Sequence, residues 1–421
     1  MEREFKDSGI EWIGRIPKEW DIIRGKYLFK VLNGFAFDSS KFTNESNYIP
    51  LIRIRDIANY VTETYYLGDY SNEYVVKKGD VIVGMDGDFN IARWKGNNAL
   101  LNQRVCKLQG FANNYLSQFA YYMLPMLLKA KNDVTYATTV KHLSSFDILD
   151  FYFLVPSLQE QQRIISYLDK KCGEIDELIA LQEQMIAQLT DYKQSVITEV
   201  VTKGLNPDAE LVPSGIDWIG DVPKGWKVTN ISKIAQTNSG STPSNISNDN
   251  NSNIVWVRTT DIHDDEVFSS SNKLNEEEFK SASCPMLEPG TCLVAMYGGA
   301  GTIGKCGFLK VQATINQALC SIEVKGSCFN YYLFYVLRAF RRVWMRFAVG
   351  TRKDPNINQE IVKKMCIPLP PLPEQQAIAT YLNTKCSEID SLIAIKQQKI
   401  ETLKDYKKSV IYEAVTGKMT V

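Results

Sequence analysis

"EQQRIISYLDKKCGEIDELIALQEQMIAQLTDYKQSVITEVVT", from Glu160 to Thr202, returns as "EQQAIATYLNTKCSEIDSLIAIKQQKIETLKDYKKSVIYEAVT", from Glu374 to Thr416. More than half of the positions are identical, and no gap is needed to align them. In both copies apolar residues recur in three-four spacing, the signature of a helix with one apolar face. The first seam runs through Leu168, Cys172, Ile175, Ile179, Ile186, Leu189, Val196 and Val200. The second runs through Leu382, Cys386, Ile389, Ile393, Ile400, Leu403, Val410 and Ala414. A heptad seam of this kind predicts two helices of about 40 residues, roughly 60 Å long. Gln182 and Lys193 interrupt the first seam, and Lys396 and Lys407 interrupt the second at the same steps. Such residues either fix the register of a helix pair or mark places where the seam leaves the interface. Ser157 and Glu160 have capping-box spacing before the first helix. Pro373 suits the first turn of the second.

A second echo precedes each helix. "SGIEWIGRIPKEW" begins at Ser8 and "SGIDWIGDVPKGW" at Ser214. Between these landmarks the likeness thins. Arg53 to Ile57 answers Arg258 to Ile262, Gly79 to Met85 answers Gly290 to Met296, and Asn102-Gln103 answers Asn316-Gln317. These short apolar runs bounded by Gly and Asp read as strands. Tyr115 to Lys131 and Tyr331 to Phe347 read as amphipathic helices. The chain is therefore globule, helix, globule, helix, in a mixed α/β (α+β) class. Its expected parts are residues 1–155, a helix at 156–203, a linker at 204–213, a second globule at 214–369 and a helix at 370–421. Two near-identical helices most simply pair with each other. An antiparallel coiled coil would relate the globules by a pseudo-two-fold axis; a parallel one would put both at the same end.

Composition narrows the chemistry. The chain has 421 residues, with 48 Lys and Arg against 48 Asp and Glu, so no global basic field is present and any nucleic-acid site must be a local patch. Two His, His142 and His263, are too few for a His-rich metal site. Nine Cys without a CxxC pair suggest reduced thiols, with Cys172 and Cys386 in the core. No apolar run is long enough to span a bilayer, and a cytoplasmic protein is expected.

Motifs that look catalytic lack their context. "GGAGTIGKC", Gly298 to Cys306, spells GxGxxG and nearly a P-loop. Both need a helix to start at the glycines, so that its N-terminus holds phosphate. Here Gly307 and a strand-like run follow, and Cys306 stands where a P-loop needs Ser or Thr. A turn-forming loop is expected instead. No Asn/Asp-Pro-Pro-Tyr/Phe methyl-transfer motif occurs, and Asp86 and Asp88 carry no further acid–base signature. No catalytic residue and no metal ligand is assigned.

Recognition chemistry is better represented. Arg338, Arg341, Arg342 and Arg346 fall within about two turns, followed by Arg352 and Lys353. On one helix face they would form a track for phosphates; the alternative is a solvated face. Arg93-Trp94-Lys95, Lys141-His142 and Lys305 are further candidates, since basic residues beside an aromatic suit nucleic acid.

The two tryptophan motifs, the Asn-Gln pairs, "VPSLQEQQRIISYLD", "LPPLPEQQAIATYLN" and the duplicated helices together resemble the specificity subunit of Type I restriction–modification systems. The resemblance covers essentially the whole chain. It implies that each globule is a target-recognition domain reading one half of a bipartite double-stranded DNA site, and that the paired helices set the spacing. It also implies docking of two methyltransferase subunits and of restriction subunits. S-adenosylmethionine, ATP and Mg would be held by those partners, with no cofactor on this chain. The competing readings are an assembly scaffold that binds only protein, against which the Arg cluster argues, and a methyltransferase acting alone, for which the motifs are missing.

Overall fold

The computed structural model describes residues 3–57, 59, 62–87, 89–110, 113–134, 142–243, 253–299, 301–350 and 355–421. The chain forms two compact units, Met1–Gln182 with Gln398–Val421, and Glu183–Gln397. Each long helix therefore contributes to both. Among the described residues no helix is long and apolar enough to cross a membrane.

In the first unit, the tryptophan motif is a β-hairpin. Strand Phe5–Asp7 pairs antiparallel with Arg15–Pro17. The connecting loop is closed by Ser8 N–H donating to Gly14 O at 3.0 Å. Gly9 and Gly14 have φ of +68° and +69°, a left-handed conformation that only glycine adopts freely. Beyond it lies a four-stranded antiparallel sheet in the order Ile91–Arg93, Val81–Gly84, Val105–Gly110, Phe29–Asn33. A second sheet of five short strands contains one parallel pair, Ile49–Ile52 with Ala99–Leu101. Helix Ser117–Val134 covers the first sheet and buries Phe119, Met123 and Leu124.

The second unit repeats this plan with different residues. Its hairpin pairs Leu211–Pro213 with Asp221–Pro223, and Ser214 N–H again donates to Gly220 O at 3.0 Å. Its main sheet runs Ala235–Ser239, Leu319–Val324, Cys292–Ala295, Cys306–Leu309, Asp265–Val267. The first four strands have the same order and sense as their counterparts in the first unit. Helix Asn330–Ala339 takes the place of Ser117–Val134.

The long helices span Leu158–Lys203 and Leu372–Val415. Half of the expected capping box forms: Glu160 N–H donates to Ser157 Oγ at 3.3 Å, but the Glu160 carboxylate is taken by Trp20 and Arg3. Within each unit the helices run antiparallel. In the first, Trp20 bonds Glu160 at the start of one helix and lies against Gly417 just past the end of the other, while Lys407 meets Asp176 at 2.6 Å further along. In the second, Gly204 lies against Trp226 and Glu374, and Lys193 meets Asp390 at 2.6 Å. Leu168, Ile175, Leu382, Ile389 and Ile400 are buried, and Ile179, Ile186, Leu189, Ile393 and Leu403 are partly covered. Cys172 and Cys386 are buried among them.

One expected element is shorter. The helix anticipated from Tyr331 to Phe347 ends at Ala339, and a separate 3-10 turn occupies Val343–Phe347. Trp344 is the reason. Its ring is fully buried beside Gly304, seated there by the 3-10 turn.

Candidate nucleic-acid interface

The Arg run lies at the end of helix Asn330–Ala339, in the second unit. Because the helix stops there, the four arginines do not share one helix face, and their roles separate. The Arg338 guanidinium lies over the rings of Phe334 and Tyr335, 5.4 and 5.5 Å from their centroids. Arg341 pairs with Asp264 and donates to Gly301 O at 2.8 Å. Arg342 and Arg346 are exposed, and among the described residues no ion pair engages them. Arg338, Arg341, Arg342 and Lys193 line a cavity of about 1140 Å³ with Asp191 and Asp264. Gln194 ties its floor to the helix end, donating to Arg338 O at 3.3 Å.

The other candidates are dispersed. Trp94 is 2% exposed, in a core cluster with Ile52, Ile82 and Leu101, and its indole N–H donates to Asn97 O at 2.7 Å. Expected at a nucleic-acid surface, it is instead a core residue. Burial of the ring takes it out of reach of a base. Arg93 ends a strand and is pinned to Asp169 at 2.9 Å. Lys95 is exposed and Lys305 half-buried. His142 is exposed, its Nδ1 2.8 Å from Asp86, which also meets Arg104 at 3.4 Å. Lys141, Arg352 and Lys353 lie outside the described residues. The glycine-rich stretch near Lys305 links the antiparallel strands Cys292–Ala295 and Cys306–Leu309, and no helix starts among its described residues. It offers no helix N-terminus to a phosphate.

Sequence reasoning missed how the globules are held on the helices. In the first unit, Trp20 Nε1 donates to Glu160 Oε2 at 3.0 Å. Gln161, 0% exposed, accepts from Leu116 N–H at 2.9 Å and donates to Asn114 O and Pro156 O, both at 2.8 Å. Two turns on, the Tyr122 hydroxyl donates to Asp169. Burial, then that carboxylate, pushes the Tyr122 hydroxyl far above its ordinary range. In the second unit, Trp226 Nε1 donates to Glu374 Oε2 at 3.1 Å. Gln375, also 0% exposed, accepts from Phe329 N–H at 2.7 Å and donates to Ser327 O at 3.1 Å and Pro370 O at 2.8 Å. Tyr335 donates to Asn383 at 2.6 Å. The signal was in the sequence: the last Trp of each hairpin motif and the Glu-Gln pair recur together.

The long helices also carry a doubled apolar surface. Leu178 and Leu181 on the first recur as Leu392 and Ile395 on the second, and Tyr192 recurs as Tyr406. All six are between 44% and 60% exposed.

A family model described as Type I restriction modification DNA specificity domain matches the chain twice, over residues 17–191 and 223–405. The Type I restriction enzyme EcoBI specificity subunit of Escherichia coli is 29% identical over 434 residues, 99% of this chain and 90% of that protein. The MjaVIII specificity subunit of Methanocaldococcus jannaschii is 22% identical over 415 residues, 97% of this chain and 94% of that protein. A chain from a solved structure on complex assembly and conformational transition of the type I R-M system superposes with a TM-score of 0.70 at 18% identity, covering 96% of this chain and 99% of that one. The HsdS subunit of Thermoanaerobacter tengcongensis gives 0.50 at 18% identity, over 96% and 98%.

Proposed function

The chain belongs to the Type I restriction modification DNA specificity family, and from that premise we propose how its parts divide the task. Each globule reads one half of a bipartite, asymmetric DNA target. The long helices set the gap between the halves and dock two methyltransferase subunits, with restriction subunits joining that assembly. The chain itself carries no catalysis. S-adenosylmethionine, ATP and Mg act on the partners. The setting is the cytoplasm, where host DNA is.

The observation that carries this reading is a contrast. The mounts and the exposed apolar residues of the helices recur in both units, with only Asp169 replaced by Asn383 and Leu181 by Ile395 among them. The main sheets keep the order and sense of four strands but not their side chains. Identical surfaces suit identical partners; unlike surfaces suit unlike sequences. Leu178, Leu181 and Tyr406 in the first unit, and Leu392, Ile395 and Tyr192 in the second, are the docking residues this contrast selects. Exposed apolar residues on a helix suit an amphipathic partner helix. Arg342 and Arg346 contribute phosphate contacts, which position a duplex without reading its sequence.

The test is to express the chain with its partner subunits and map methylated sites by single-molecule sequencing. A motif of two specific halves around a non-specific gap is expected. A contiguous motif would refute the bipartite reading. The purified chain alone is expected to show no nuclease, ATPase or methyltransferase activity, and robust methylation without partners would refute that assignment.

A further inference from the structure

We infer that each recognition unit is fixed to its helix by a three-point mount, and that Gln161 with Tyr122, and Gln375 with Tyr335, are specificity-determining positioning residues that hold the molecule to one gap length. The consequence for the gap rests on the bipartite reading above.

One attachment lets a rigid body swivel, two let it turn about the line joining them, and three points off a line hold it. Gln161 and Asp169 are two attachments eight residues apart on one helix, about 12 Å at 1.5 Å per residue. They tie down the start and the second turn of helix Ser117–Val134, and so fix the angle between it and the long helix. The third point, Trp20 on Glu160, comes from the segment just after the hairpin, and Glu160 sits about 100° round the helix from Gln161, off that line. It blocks the remaining rotation. The second unit has the same three points at Gln375, Asn383 and Glu374.

Two details separate a mount from ordinary packing. First, the Gln side chain satisfies three backbone groups from two segments: an N–H and a carbonyl of the loop that leads into the recognition helix, and the Pro carbonyl that precedes the long helix. An apolar residue of equal size would leave all three unpaired, and only one relative placement satisfies them together. Second, Asp169 is replaced by Asn383, yet both accept from the tyrosine hydroxyl. The charge changed and the attachment stayed. The surrounding recognition helices share little else, so direction is what the repeat has kept.

The experiment uses the full chain with its partner subunits. Tyr122→Phe removes one oxygen, and Gln161→Met keeps the side-chain length. The double variant should methylate both half-site sequences as before. Targets with one base pair more or less in the gap should rise at least tenfold in methylation. Asp169→Asn, which copies the second unit, should keep the single gap. In parallel, spin labels at Glu73 and Ser166 on the purified chain report the mount without relying on DNA. The double variant should broaden their distance distribution, while hydrogen-exchange protection of Val81–Gly84 and Val105–Gly110 stays as in the parent. Should the parent show no bipartite motif, the functional reading fails and the spin-label result alone decides the mount. An unchanged distance distribution with an unchanged single gap would overturn the proposal. A loss of the single gap in Asp169→Asn would also count against it.

Discussion

Glu160 was expected to close a capping box and instead holds an indole. At the residue scale the structure redistributes roles that a local pattern cannot assign. The Arg run is the clearest case. Its count and spacing were legible, but which arginines face solvent was not, because Trp344 buries itself against a glycine forty residues earlier in the chain. Trp94 misled for the same reason: its neighbours in sequence are basic, and its neighbours in space are apolar. The separation of roles has a measurable consequence. Arg342→Ala and Arg346→Ala should each flatten the salt dependence of DNA binding by roughly 0.9 in slope, the value for one lost phosphate contact. Arg341→Ala should leave the slope alone and lower stability by up to about 1 kcal/mol, since its guanidinium is spent on Asp264. Equal slopes in all three and the parent would remove the phosphate role. The thiols give a second residue-scale outcome. Burial pushes Cys106, Cys320 and Cys328 up to about 12, while Cys366 is only half-buried. Iodoacetamide at pH 8 should label Cys366 first, and the others only in denaturant. Comparable labelling of Cys172 or Cys386 in the native chain would contradict their place in the core.

At the scale of elements, the helices were the most legible part, because a three-four apolar spacing is a local property that the sequence displays directly. The sheets were legible only as short runs. Strands of two to six residues gain stability from partners far along the chain, so their order could not be read. The polar interruptions in the seam now divide. Lys193 and Lys407 reach acids on the opposite helix, and Asp390 and Asp176 occupy one repeat position. Lys193→Glu should destabilise the chain by about 1 kcal/mol, and adding Asp390→Lys should restore most of it. A cycle with no coupling would make the pair ornamental. Gln182 is buried with an unpartnered Oε1, for which the structure offers no partner among the described residues. Helix length should be visible in the DNA target. Inserting four residues near Ala180 adds about 6 Å and should lengthen the gap by one or two base pairs, at about 3.4 Å each, with both half-sites unchanged. Four residues form a stutter that locally unwinds the seam without destroying it. One residue rotates the seam by about 100° and should disrupt assembly. An active four-residue variant with an unchanged gap would mean that the helices only dock partners.

At the scale of the molecule, the internal repeat announced two globules and two helices, and the family match covers both copies. What the repeat could not announce is which residues serve DNA, because recognition side chains are the ones that differ between the copies. The balance of 48 Lys and Arg against 48 Asp and Glu leaves the chain without a global basic field, so its own attraction to a duplex is local. The central claim is that the two units read independently, and one exchange tests it directly. The segment from Asp21 to Val155 is replaced by the matching segment of a relative with a different target, the chain is expressed with its partner subunits, and methylated motifs are mapped. One half of the motif should change to that of the relative, while the other half keeps its sequence. A motif in which both halves change together would contradict the account.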